Sequence, residues 1–103
     1  MNPFDVVERL SELSALVVGE PILDGWLSGS SLRLSREAPV QVVDVDESQL
    51  LPGGAGNTAV NLAALGAEVR LLGAVGDDRD GALLRSALRE RRVRPDDLIE
   101  VPG

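Results

Sequence analysis

The sequence has no cysteine and no histidine, and its ten basic residues are all arginine, so lysine is missing as well. Without cysteine, disulfides, thiolate metal sites and cysteine nucleophiles are excluded. Without histidine, serine–histidine triads, the usual zinc ligand and the commonest general base near neutral pH go too. A lysine is required both by the Walker-type phosphate loop and by Schiff-base chemistry, so neither can operate here. Long apolar runs are also missing. A stretch such as Ala15–Val18 is far too short to cross a bilayer, and Met1–Leu10 carries Asp5, Glu8 and Arg9 where a secretory peptide would be apolar. No basic surplus exists, since seventeen acidic side chains leave a net charge of −7. That balance argues against nucleic acid as the main partner, because a phosphate backbone demands a basic surface. A small soluble protein of the cytoplasm is the expectation, with no membrane association.

What is present is ordinary for such a protein. Apolar residues make up 44% and charged residues 26% of 103 positions, enough for one small domain or for part of a larger one. Asn2-Pro3 reads as a helix start, and Phe4, Val7, Leu10 and Leu13 recur on one face up to about residue 13. Ala15–Val18 before Gly19 reads as a strand buried on both faces, as in a parallel sheet. Glu20–Ser31 mixes Pro, Gly and Ser and reads as loop or edge strand. Pro39–Asp46 is β-rich, with Asp44 and Asp46, and Glu47 beyond them, on a solvated face. Glu47-Ser48-Gln49 and Pro52 are poor strand material. The small-residue segment Thr58–Leu65, closed by Gly66, predicts a buried helix. Glu68–Val75 predicts another strand, ending at Gly76. Asp77 and Asp78 then offer a cap to a helix whose inner stripe is Leu83, Leu84, Ala87 and Leu88 and whose Arg85, Arg89, Glu90 and Arg91 stay wet. Asp97–Val101 begins a last strand, after an arginine-rich solvated helix end at 89–94. Such alternation predicts an α/β layer on a parallel sheet, and a final strand without a crossover implies a sheet that would normally continue.

Chemistry concentrates at Pro52-Gly53-Gly54-Ala55-Gly56-Asn57. Gly54, Gly56 and Ala59 satisfy a relaxed dinucleotide pattern, G-x-G-x-x-A, with Asp77 and Asp78 about twenty residues on. The residues before the turn do not supply the strand that fingerprint needs. The same glycines also fit a tight turn that merely lets a small-residue helix pack closely. Taken singly, Asp24 before Gly25 is a turn residue and Asn57 a helix cap. Asp77, Asp78 and Asp80 before Gly81 resemble part of a calcium loop, but Gly76 and Ala87 would occupy its two anchor positions, so a helix cap is the better reading.

Several blocks in order carry a more specific signal. Gly53-Gly54-Ala55-Gly56-Asn57-Thr58-Ala59, followed by Gly66, Gly73 and Gly76, resembles the N-terminal signature of the ribokinase-like (PfkB-type) carbohydrate kinases. Val17-Val18-Gly19-Glu20-Pro21-Ile22-Leu23-Asp24 resembles that family's first strand, which ends in a sugar-contacting Asp. Ser35-Arg36-Glu37-Ala38-Pro39-Val40 resembles one branch in particular, the heptose-7-phosphate kinase part of bifunctional heptose kinase/adenylyltransferases. The resemblance spans about residues 14 to 93.

It implies the N-terminal portion of a ribokinase-like three-layer α/β sandwich with a small β lid at about residues 22–46, and a lid that often makes dimer contacts. It implies an ATP- and Mg²⁺-dependent kinase acting on a sugar or sugar phosphate. Asp24 would accept hydrogen bonds from sugar hydroxyls, Gly53 and Gly54 would admit the sugar to backbone amides, and Asn57 would donate and accept. Arg36 and Glu37 would be further contacts. The family's base lies in a later Gly-Ala-Gly-Asp-like turn, which does not occur in this sequence, and the C-terminal ATP-binding portion is expected outside it. The chain would therefore hold the sugar but not complete the reaction alone. The competing expectation is a non-catalytic module that binds sugar or pairs through exposed lid edges.

Overall fold

The computed structural model describes residues 2–102, and for 30, 32–34, 42–44, 46 and 47 it describes the backbone only. The reading of Asp44, Asp46 and Glu47 as a solvated face lies outside the described side chains.

Asn2 caps the first helix, α1 (Pro3–Arg9), by accepting the Asp5 amide at 3.0 Å, and a 3-10 turn, Leu10–Glu12, follows. The expected apolar face exists but covers nothing: Phe4 is 80% exposed and Val7 51%. Strand β1 (Ser14–Val18) pairs in parallel with β4 (Glu68–Gly76). On the other side of β4, β5 (Val93–Arg94) pairs with its start and β6 (Leu98–Val101) with its end, also in parallel. Strand alternation then decides burial. Val69, Leu71 and Val75 point to one face of β4, where Ala59 and Ala63 of α2 (Ala55–Ala64) and Leu84 and Leu88 of α3 (Arg79–Glu90) close a single core with Val93 and Leu98.

The opposite face is open. In register with Arg70 and Leu72 stand Leu16 and Val18, and in register with Ala74 and Gly76 stand Ile99 and Val101. All four of these apolar side chains are exposed, Val18 by 67%. The expectation of a β1 buried on both faces is thus corrected, because among the described residues helices cover one side of the sheet only. Likewise α2 buries one face, through Gly56, Ala59 and Ala63, and leaves Leu65 half exposed.

The largest difference lies in the excursion between β1 and the glycine turn. It is a long antiparallel ribbon of β2 (Pro21–Leu34) and β3 (Gln41–Gly54), far longer than residues 22–46 suggested. Ser48 faces Leu27, Gln49 faces Trp26 and Pro52 faces Leu23, so the segment that reads as poor strand material is strand. Main-chain pairing with β2 overrides the weak propensity of those residues. Register shifts at Ser28/Gly29 and Ser30/Arg33 break the ladder along its length. The ribbon makes the molecule elongated: the radius of gyration is 18.0 Å, against about 13 Å for a compact chain of this length.

Asp78 caps α3, accepting the Gly81 amide at 2.8 Å, as expected of the Asp77–Asp78 pair. Arg85 is not wet. It donates to the Pro95 carbonyl at 2.9 Å and the Leu98 carbonyl at 3.2 Å, fastening α3 to the β5–β6 connection. In the arginine-rich stretch 89–94, Arg89, Arg92 and Arg94 are exposed, as expected, while Val93 is buried and Arg94 pairs with Glu68 at 2.9 Å on the surface. Arg70 holds Asp97 through two bonds of 2.8 and 2.9 Å, which keeps the Asp97 carboxyl below its ordinary pKa. Among the described residues no helix is long and apolar enough to cross a membrane.

Candidate substrate site at the root of the ribbon

The ribbon joins the α/β layer at Pro21–Asp24 and Leu51–Gly54, and a cavity of about 350 Å³ opens at this root. Period-two alternation organises it. Leu23 turns toward the core, so Asp24 and Trp26 share the other face with Leu51, opposite Asp24 in the ladder. Asp24, Trp26, Leu51, Pro52, Gly53 and Gly54 line the cavity from the ribbon. Asn57 and Val60 line it from α2, and Arg91 from the end of α3.

The two glycines are dictated by this geometry. A Cβ on Gly53 would lie 2.6 Å from Asp24 Cγ and closer still to Oδ2, so the carboxylate rests directly on the Gly53 backbone. Gly54 caps α2 with φ +56°, in the left-handed region, and a Cβ there would meet the Glu20 carbonyl oxygen at 2.6 Å. That carbonyl accepts the Ala55 amide at 3.0 Å, which ties the β1–β2 connection to the first turn of α2. The helix therefore starts at the cavity wall with its positive end toward it, and Asn57 stands in that first turn. Asp24 and Asn57 supply an acceptor and a mixed donor–acceptor, and Trp26 an apolar ring face, which together suit a polyhydroxylated ligand.

Of the residues singled out from sequence, Asp24, Gly53, Gly54 and Asn57 come together here. Arg36 and Glu37 do not join them. They lie at the exposed tip between β2 and β3, where the Glu37 amide donates to Ser35 Oγ at 3.2 Å and the Ser35 amide to the Val40 carbonyl. Trp26 and Arg91 line the cavity without having been anticipated. Trp26 was reachable, two residues from Asp24 on one strand. Arg91 had no local signal, since its place depends on how α3 packs against the ribbon.

Residues 14–103 match the pfkB family carbohydrate kinases. The chain belongs to that family. It is 50% identical over 93 residues to a bifunctional protein HldE of Citrifermentans bemidjiense, and 56% identical over 85 residues to that of Nitrosococcus oceani. Those matches cover 90% and 82% of this chain but 19% and 18% of the relatives, so the chain spans about a fifth of their length. Its fold is ribokinase-like. A crystal structure described as a putative ribokinase from Agrobacterium tumefaciens superposes with a TM-score of 0.67 at 25% identity, over 85% of this chain and 28% of that one. Arabidopsis thaliana ribokinase, complexed with ribose and ATP, superposes at 0.63 and 23% identity, over 88% of this chain and 29% of that one. The dinucleotide alternative gives way to this family.

No group of three or more acidic side chains gathers to hold a cation among the described residues, and the chain has no lysine for a phosphate loop. Asp77 and Asp78 serve α3 as cap and flank.

Proposed function

We propose that this chain is the sugar-binding N-terminal part of an ATP-dependent sugar kinase whose substrate is a heptose phosphate. The observation that carries the reading is the convergence of Asp24 of β2 with Gly53, Gly54 and Asn57 of the β3–α2 junction, some thirty residues on, at one cavity. The identity of up to 56% to HldE proteins supports the heptose branch. In the proposed reaction a sugar hydroxyl oxygen bonds to the γ-phosphorus of ATP while the bond to the ADP oxygen breaks. Asp24 and Asn57 orient the sugar so that this hydroxyl faces the nucleotide. The proton leaves to a base outside these 103 residues, where ATP and Mg²⁺ are also held. The open sheet face bearing Leu16, Val18, Ile99 and Val101 is the surface the remaining length of such a kinase would cover.

Phosphoryl transfer from ATP to heptose 7-phosphate by the full-length protein tests this directly. Asp24→Ala and Asn57→Ala are each expected to raise KM at least tenfold or to abolish turnover. Unchanged kinetics in both variants would remove the site assignment. We also propose that copies pair through the ribbon, supported by the exposed Leu27, Val45 and Leu50 and by its unpaired strand edges. Sedimentation velocity should then show a dimer. A cytoplasmic location completes the reading.

A further inference from the structure

Resting on the sugar-phosphate reading above, we infer that Arg91 is the residue that recognises the anionic substituent of the phosphorylated sugar and so sets the preference for it over the free sugar. The substrate's phosphate is a dianion near neutral pH, and this chain carries a net charge of −7 with Asp24 in the cavity itself. A phosphorylated ligand is repelled unless a cation stands within the same walls. Among the described residues that line the cavity, Arg91 is the basic one.

Its setting suits the task. Arg91 ends α3 at the C-cap, and the next residue, Arg92, turns out of the helix with φ +64° toward the buried Val93. The Arg91 side chain folds back, and Nη1 donates to the Ala87 carbonyl at 3.0 Å, with Glu90 Oε2 at 3.9 Å. That bond covers the negative end of the helix, which would otherwise face the ligand's phosphate. It also holds the guanidinium at the end of α3, beside the cavity that Arg91 lines. One of five N–H donors is spent on Ala87, and the planar fork keeps others for phosphate oxygens. A side chain 32% exposed is desolvated enough for charge to count and open enough to meet a ligand. Asp24 and Asn57 would then read the hydroxyls and Arg91 the charge, so the two functions are separable by mutation.

The experiment measures, in the full-length protein, the ratio of affinities for heptose 7-phosphate and for the same heptose without phosphate, by titration calorimetry. The wild-type ratio is expected to be about 10- to 100-fold, the range of a charge-assisted hydrogen-bonded contact. Arg91→Gln, which keeps an amide donor for the Ala87 carbonyl, should bring it near one, and Arg91→Lys should restore part of it. Asp24→Ala should weaken both ligands without lowering the ratio, since it removes a charge that repels the phosphate. Added salt should lower the wild-type ratio, since it screens a partly exposed charge contact. A ratio unchanged in Arg91→Gln, or one already near one in the wild type, overturns the role of Arg91 while sugar binding stands. A wild type that binds neither sugar overturns the sugar-kinase reading and this inference together.

Discussion

The α/β layer and the β2–β3 ribbon are held together by different forces. In the layer, Val69, Leu71, Leu88 and Val93 are each less than 2% exposed, and their burial against α2 and α3 is the main stabilising term. Along the described ribbon, buried positions are confined to the root, at Pro21, Pro52 and Gly53, while Trp26, Leu27, Val45 and Leu50 are exposed. Beyond its root the ribbon is held by main-chain pairing rather than by a core of its own, and a two-stranded ribbon alone is marginal in water. The difference shows where a binding site can be built. The layer supplies packed backing, and the ribbon has reach but little packing. The cavity forms where they meet, because only there is a ribbon side chain such as Asp24 backed by packed structure.

Breaking one region and not the other sharpens the contrast. Leu71→Ala should cost about 2–5 kcal/mol in equilibrium unfolding, through lost burial and the cavity left behind. Val40→Ala, at the ribbon tip, should change stability by no more than about 0.5 kcal/mol. Equal losses at both positions would show that the ribbon is packed as firmly as the layer. The junction should respond in between. Gly54→Ala forces a Cβ into the left-handed region at about 1–2 kcal/mol and presses it on the Glu20 carbonyl. It should therefore lower the melting temperature and weaken sugar binding together. Loss of binding without any loss of stability would mean that Gly54 serves the ligand and not the join.

Much of the layer was legible because its determinants are local. The Asn2 and Asp78 caps, the Gly66 stop and the alternation of Val69, Leu71 and Val75 each depend on neighbours within a turn or a strand. Features that depend on distant partners were not. Glu47–Pro52 is strand because β2 lies beside it, Arg85 is drawn inward by carbonyls ten and thirteen residues away, and the short β5 exists only through its pairing with Val69 and Arg70. Burial of β1 was overestimated because an apolar run shows that a face is suited to burial, not that a covering layer is beside it. The site divides along the same line. Asp24, the glycines and Asn57 were found through the ordered blocks of a known family, whereas Arg91 reaches the cavity only through tertiary packing.

The central claim is that the cavity at the ribbon root holds the sugar. Titration calorimetry of the full-length protein with heptose 7-phosphate, wild type against Asp24→Ala, tests it most directly. At least a tenfold loss of affinity is predicted, with the melting temperature nearly unchanged. Equal affinity in the two proteins would contradict the claim and place the sugar elsewhere.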